Sequence, residues 1–302
     1  MDEVDVCLCV MFNHKYEANV PKLREIYKKR FSKLVFLMPF YRGTERDILP
    51  YYANSFYFQL CVTQNLKALK AIDAKHYIFI GDDLILNPIV DEWNAISYLR
   101  AGVDAVSIPP VTDLHSWPST WTRALDIARL SENACGVEWR GLLPKYEDMA
   151  ERVKTIVGSH RVDITHFCDE LARLGHKLPE ERPLIVDPPY PCLAAYSDIF
   201  VIPKAFLDDF AHYAGITGAM KLFAEVAIPT VSLIVSERLN FIPFINYNPN
   251  ATDVDLSGKG IAYWGNDIDE FSAACELKLV NAFAGPRSDA LFIHPIKLSK
   301  WT

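Results

Sequence analysis

The sequence has no cysteine pair at CxxC spacing, no apolar run near the length of a membrane span, no glycine between residues 12 and 20, and no excess of positive charge. Each absence removes a class of protein. Seven cysteines are scattered at positions 7, 9, 61, 135, 168, 192 and 275. An odd number without metal-ligand spacing argues against a disulfide framework or a zinc site and reads as buried, reduced thiols. A membrane helix needs about 20 apolar residues, so none is expected. Residues 1–5 are acidic and lead into a strand-like run, whereas a secretory signal starts basic, so export is not expected. Lys+Arg number 31 against 38 Asp+Glu, a net charge of −7. A general nucleic-acid binder would carry a basic face; a local basic pocket for phosphates stays open.

What is present reads as α/β. The chain has 302 residues, half of them hydrophobic, enough for one large domain or two tightly joined ones without staples. Residues 4–12 and 33–38 are apolar runs of strand length, with helical spacing over 20–31 between them. Strand–helix–strand in so short a stretch implies a right-handed crossover and a parallel sheet. Helices are predicted over 55–71, 90–101 and 206–223, with the last interrupted by Gly215 and Gly218, and strands over 76–80 and 105–108. Residues 109–189 mix prolines, tryptophans and charges, with amphipathic patterns at 119–130, 146–157 and 164–174. They read as a helical insertion between a first half, 1–108, and a second, 190–302, that returns to strand and loop. The fold class is therefore a mainly parallel, Rossmann-like sheet flanked by helices. No internal repeat interrupts it.

The sharpest chemical signal is Tyr77-Ile78-Phe79-Ile80-Gly81-Asp82-Asp83. Two carboxylates stand at the carboxyl end of a buried strand, the edge at which open α/β sheets bind ligands. Adjacent carboxylates are costly to bury unless a cation neutralises them, and hard divalent cations take such oxygens. The bland alternative is an exposed turn capping the next helix. Glu225 is an acid inside the apolar run 222–230; it is either a catalytic carboxylate or a helix-cap or salt-bridge residue.

Ile78-Phe79-Ile80-Gly81-Asp82-Asp83-Leu84-Ile85-Leu86-Asn87-Pro88 resembles the DxD-type motif of GT-A-fold glycosyltransferases, with Gly81 where many members have an acid. The resemblance spans nearly the whole chain and is closest to bacterial enzymes that build surface polysaccharides. It implies a nucleotide-sugar donor, a UDP-sugar first among them, a Mn²⁺ or Mg²⁺ cofactor, and a glycan or lipid-linked glycan acceptor. It implies that Phe12-Asn13-His14 cradles base and ribose, with Pro39 and Tyr41 as the other wall. Asp83 and His294 would hold the metal, Asp82 would orient the ribose or sugar, and Lys297 would touch the diphosphate, with Lys300 beside it. Tyr196, Ser197 and Asp198 would sit on the acceptor side. Glu225 would be the base of an inverting transfer, or a stabiliser of a retaining one. Localisation would be cytoplasmic, with peripheral association at the inner face of the membrane. The chain could also be one module of a larger enzyme.

Taken without the resemblance, a lone histidine after a strand, such as His294, is more often structural, and the loops at 12–15 and 39–42 are equally ordinary βα loops. Trp117, Trp121, Trp139 and Tyr146 are either a platform for sugar rings or core packing. His160, His166 and His176 have no ligand spacing and read as surface or packing residues. Three rivals remain. A glycoside hydrolase would also use paired carboxylates. A nucleotidyl or phosphoryl transferase would share a metal–diphosphate site but would usually show a phosphate loop. A non-catalytic assembly scaffold of the same fold finds its support in Gly81.

Overall fold

A computed structural model describes residues 5–114, 138–139, 141–158, 190–246 and 255–302. The first half runs β1 (Val6–Met11), α1 (Val20–Tyr27), β2 (Lys33–Pro39), β3 (Ile48–Tyr51), α2 (Leu60–Ile72), β4 (His76–Gly81), β5 (Ile85–Leu86), α3 (Ala95–Tyr98), β6 (Val106–Ile108) and β7 (Val111–Asp113). Next come α4 (Tyr146–Val157), β8 (Leu193–Ala195), β9 (Ile199–Pro203), α5 (Leu207–Ala219), α6 (Ala224–Ser236), β10 (Leu239–Phe241) and β11 (Phe244–Asn246). The last elements are β12 (Gly260–Ala262), α7 (Asn266–Ala274), α8 (Leu279–Ala282) and β13 (Phe292–His294). Among the described residues no helix is long and apolar enough to cross a membrane.

The main sheet is seven-stranded, ordered β10-β6-β9-β4-β1-β2-β3. β1 pairs parallel with β2 and β4, β2 with β3, and β10 with β6; β9 alone runs antiparallel, between β4 and β6. β1 is buried along its whole length because both faces are covered. Cys7, Cys9 and Met11 face a core built with α2, α4, α5 and α6. Val6, Leu8 and Val10 face a second core built with α1, α7 and the smaller sheet. From β1 the chain steps outward to β2 and β3, then returns to β4 on β1's other side. That reversal opens a crevice at the carboxyl ends of β1 and β4, the topological switch point at which such sheets bind ligands.

The smaller sheet, β11-β12-β13-β5, joins the end of the chain to the segment after Asp83. β13 pairs antiparallel with β5, Ile293 opposite Ile85 and Phe292 opposite Leu86. Helix α1 holds the same segment from the other side. The Tyr27 hydroxyl donates to Leu84 O and accepts from Leu86 N, while Arg30 Nη1 donates to Asn87 O and Val90 O. Asn87 Nδ2 donates to the carbonyls of Ser288 and Ala290. Lys22 on α1 donates to the carbonyls of Leu298 and Trp301 and ties down the tail.

Three sequence expectations need correction. The helix predicted over 90–101 shrinks to α3, because Asp91 forms a side-chain turn instead: its Oδ1 accepts from Trp93 N and Asn94 N. Gly215 and Gly218 do not interrupt α5; Gly218 lets α5 close against Leu60 of α2. The segment after Pro109 opens with a strand, since β7 pairs antiparallel with β8 at the neck of the insertion. Within the insertion, α4 has the predicted bounds, and Trp139 packs edge-on against Tyr190 rather than facing solvent. The patterns at 119–130 and 164–174, and with them Trp117, Trp121, His160, His166 and His176, lie outside the described residues.

Gly260 sits opposite Phe292 across β12 and β13, and a Cβ there would lie 1.9 Å from that ring. Phe292 is fully buried and stacked near Phe244 and Tyr196, so it has nowhere to turn. Gly260→Ala should destabilise the fold by about 1–3 kcal/mol, as overpacking does, read as a lower urea midpoint. An unchanged midpoint would mean that this register is wrong.

Candidate functional site

Three ligand-type side chains meet at the switch point. Atoms of Asp83, Asp198 and His294 all lie within 4.8 Å of one another. Asp83 comes from the turn after β4, Asp198 from the residue before β9, and His294 from the end of β13. Backbone hydrogen bonds fix all three, beginning with Tyr263 N, which donates to His294 O at 2.9 Å. Gly81 N donates to Asp198 O at 2.8 Å, and Ile296 N donates to Asp83 O at 2.7 Å. Register does the rest, because Ile80 pairs with Ile199 and Ile85 with Ile293. At Gly81 a Cβ would stand 3.3 Å from both Asp83 Oδ1 and Asp198 Oδ1. Glycine therefore leaves room for Asp198 to approach Asp83. The resemblance had placed Asp198 on the acceptor side; here it stands in the acid–histidine cluster.

His294 Nε2 lies 3.3 Å from Asp83 Oδ1, within ion-pair distance but misaligned for a hydrogen bond. Asp83 Oδ1 and His294 Nδ1 are both buried, with no hydrogen-bond partner among the described residues. Burial alone would raise Asp83, yet the neighbouring His294 outweighs it and holds the carboxyl below its ordinary value, with Lys297 adding a smaller pull. Burial lifts Asp198 to about 6, with His294 pulling it down and Asp83 pushing it up. Burial would lower His294, but the acids around it, Asp83 first, raise it above the usual histidine value. Two carboxylate oxygens and an imidazole nitrogen are a donor set that suits Mn²⁺ or Mg²⁺.

Asp82 stands beside this cluster. Its N–H donates to Met11 O at 2.8 Å, and its Oδ1 accepts from Asn13 N at 3.3 Å. Burial, reinforced by the charge of Asp83, pushes it up to about 7, against the N–H of Asn13 and the side chain of Asn19. Neither acid caps a helix: the residues that follow form a tight turn and β5.

The predicted nucleotide cradle is met only in part. Asn13 and His14 lie at the open carboxyl edge. Phe12 does not line it; its ring is fully buried, edge-on to Phe36, and its carbonyl accepts from Tyr51 Oη. Pro39 is buried, and Tyr41 is folded under its own loop with Oη accepting from Glu45 N. The aromatics exposed where β2 and β3 end are Phe40 and Tyr52, 51% and 63% accessible and edge-on to each other. Lys297 and Lys300 line a separate hollow of about 270 Å³ with Trp301.

A cavity of about 420 Å³ adjoins the cluster, with Tyr196, Glu225, Thr112, Asn246, Phe244 and Trp264 in its wall. Glu225 lies in the first turn of α6, where a helix also favours negative charge, so its cap-like and cavity-lining positions coincide. Tyr196 connects cavity to cluster: its ring is edge-on to His294 at 5.4 Å between centroids. Ser197 faces inward and donates to Ala195 O. Phe244, Asn246, Trp264 and Thr112 escaped the sequence reading, having no motif to mark them. No family model, curated protein or solved structure matches the chain.

The acid–histidine cluster has a defined pH signature. Asp82 and Asp198 bind protons more firmly when folded, so their contribution is full below the usual carboxylate range and lost as pH rises through about 7 and about 6. His294, also raised, adds stability that is lost above its folded value. Asp83, being lowered, matters only in acid. Between pH 5 and 7, wild type should lose stability relative to Asp82→Asn by up to about 1.4 kcal/mol per pH unit. Added Mn²⁺ should stabilise more as pH rises. Thermal melts of both proteins across that range, with and without Mn²⁺, check both slopes; parallel slopes would remove Asp82 from the account.

Proposed function

We propose that this chain is a metal-dependent glycosyltransferase of the GT-A type, moving a sugar from a nucleoside diphosphate to a hydroxyl of a glycan or lipid-linked glycan. The observation that carries the reading is the convergence of Asp83, Asp198 and His294 at the switch point of a Rossmann-like, mostly parallel sheet. Asp83, Asp198 and His294 would hold the metal. A bound divalent cation supplies positive charge against the diphosphate leaving group, the electrostatic contribution that usually dominates such transfers.

The chain's own groups account for the remaining tasks. Lys297, whose charge is felt at Asp83, would pair with phosphate oxygens that extend toward it from the cluster. Asp82, beside Asn13, accepts or donates a hydrogen bond to a ribose or sugar hydroxyl according to its protonation. The exposed Phe40–Tyr52 pair offers a flat apolar surface for a base. Glu225, in the cavity wall, takes the proton of the attacking hydroxyl in an inverting transfer. UDP-sugars are the first donors to try.

The test is thermal-shift binding of UDP, GDP and CDP, each with Mn²⁺ and with chelator. A ligand at a hundredfold excess over its Kd stabilises by about 2.7 kcal/mol. One nucleoside diphosphate should do so only with Mn²⁺, and Asp83→Ala, Asp198→Ala and His294→Ala should each remove that response. Once the donor is known, Glu225→Gln should retain donor binding and lose about 10²-fold or more in kcat. Absence of any nucleotide response would sink the transferase reading; normal turnover by Glu225→Gln would sink the assignment of the base.

A further inference from the structure

The chain that leaves the acid–histidine cluster along β5 descends to the opposite edge of the main sheet. Glu92 N donates to Arg30 O at 3.0 Å, and Ser32 N donates to Glu92 Oε2 at 2.8 Å, just before β2 begins. Further on, Gly102 O lies 3.2 Å from His76 Nε2, where β4 begins. β2 and β4 flank β1, so the two points are two strand spacings apart, about 10 Å. Residues 89–103 thus run along the amino edge, away from the crevice.

This segment turns apolar side chains to water. Ile89, Trp93, Tyr98 and Val103 are exposed, Trp93 to 64% and Val103 to 70%. They are four of the thirteen large exposed apolar side chains among the described residues, within fifteen positions of the chain. Single exposed apolar residues are ordinary, whereas such a concentration marks an interaction surface. The core does not call for them, because Val90, Ala95 and Leu99 of the same segment already fill it. Nor are they loosely held. Asn87 Oδ1 accepts from Ile89 N, Asn94 Nδ2 donates to Ile89 O, Asn94 Oδ1 accepts from Asp91 N, and Asp91 Oδ1 accepts from Trp93 N. The loop presents Ile89 and Trp93 in a fixed arrangement.

Charge identifies the occupant. Lys28 and Lys29 are exposed at the end of α1 beside Arg30, and Arg100 is exposed between Tyr98 and Val103. The ion pairs of this edge involve other cations: Lys33 with Asp5, Lys204 with Asp73 and Arg238 with Asp104. Among the described residues no acid forms an ion pair with Lys28, Lys29 or Arg100. The acids of the loop are engaged, Asp91 by the N–H groups of Trp93 and Asn94 and Glu92 by Ser32 N and Oγ, while Glu25 lies a turn back on α1. A chain of net charge −7 therefore sets unpaired cations around an exposed tryptophan and tyrosine. That is the makeup of a bilayer interface, where the rings lie at headgroup level and the cations meet anionic phosphates. A second copy fits poorly, because in a two-fold contact the patch meets itself and like charges oppose each other.

We propose that the amino edge docks this chain on an anionic lipid bilayer, with Trp93 and its apolar neighbours entering the interface and Lys28, Lys29 and Arg100 on the headgroups. Docked so, the crevice at the carboxyl edge opens away from the lipid. The inference is independent of the transferase reading, and its test needs no nucleotide.

The experiment is flotation of the full chain with vesicles of phosphatidylcholine alone and of phosphatidylcholine with phosphatidylglycerol, at low and high salt. Wild type should float with the anionic vesicles, less as salt rises, and about tenfold less with phosphatidylcholine alone. Trp93→Ser combined with Val103→Ser should weaken binding to anionic vesicles by about tenfold or more. Lys28→Glu combined with Lys29→Glu should do the same. All four positions are exposed, so the melting temperature should match wild type in both variants. No flotation, equal flotation with both vesicles, or undiminished flotation of both variants would overturn the inference. So would a lowered melting temperature in the serine variant, which would give these side chains to the fold. Light scattering tests the other occupant: a dimer dissociated by Trp93→Ser would give the edge to a second copy and overturn the bilayer.

Discussion

Three carboxyl groups share one partly buried corner at the end of β4, and their mutual repulsion is the constraint that the surrounding structure has to satisfy. Asp82, Asp83 and Asp198 cannot all ionise there unaided. The fold offers partial relief through His294, which it delivers by pairing the end of the chain with the two residues of β5. The smaller sheet, the Tyr27 and Arg30 contacts from α1 and the Lys22 tether on the tail all serve that delivery. Asp83 Oδ1 remains without a hydrogen-bond partner among the described residues, and a cation beside it would complete the balance.

The strands of the central sheet were legible in the sequence because a parallel sheet covered on both faces writes itself as continuous apolar runs. β1, β2 and β4 stand out on that ground. The same continuity hid the orientation of Phe12: with no polar alternation, nothing in the run says which side chains face the core and which the crevice. β3 escaped because Ile48–Tyr51 is short and carries Pro50, and the helix expected over 90–101 failed because an aspartate turn competes locally with helix. α4 was readable to its ends, with acids in its first turn and Gly158 closing its last.

Of the candidate site, the acids after β4 and the histidine near the end of the chain could be nominated from sequence; their meeting could not. Asp198 shows why. Its approach to Asp83 depends on an antiparallel register between β4 and β9 and on the missing side chain at Gly81. Gly81 had looked like a lost acid. In three dimensions it is the clearance that lets an acid from another strand fill the place. Tyr196 was flagged only as a neighbour of Ser197 and Asp198, since the rings that pack against it, Phe244 and Phe292, come from β11, a strand too short to announce itself, and from β13, far along the chain.

The distribution of the cluster along the chain bears on how the protein comes to exist. Asp83, Asp198 and His294 are drawn from its first, middle and last thirds. Contacts of such sequence separation close late, because loop-closure entropy is lost before they reward it. A chain still short of β13 has two acids and no imidazole to set between them. Were the cluster to hold a cation, that competence would be acquired only as the final strand docks, and affinity for the ion would gauge complete folding.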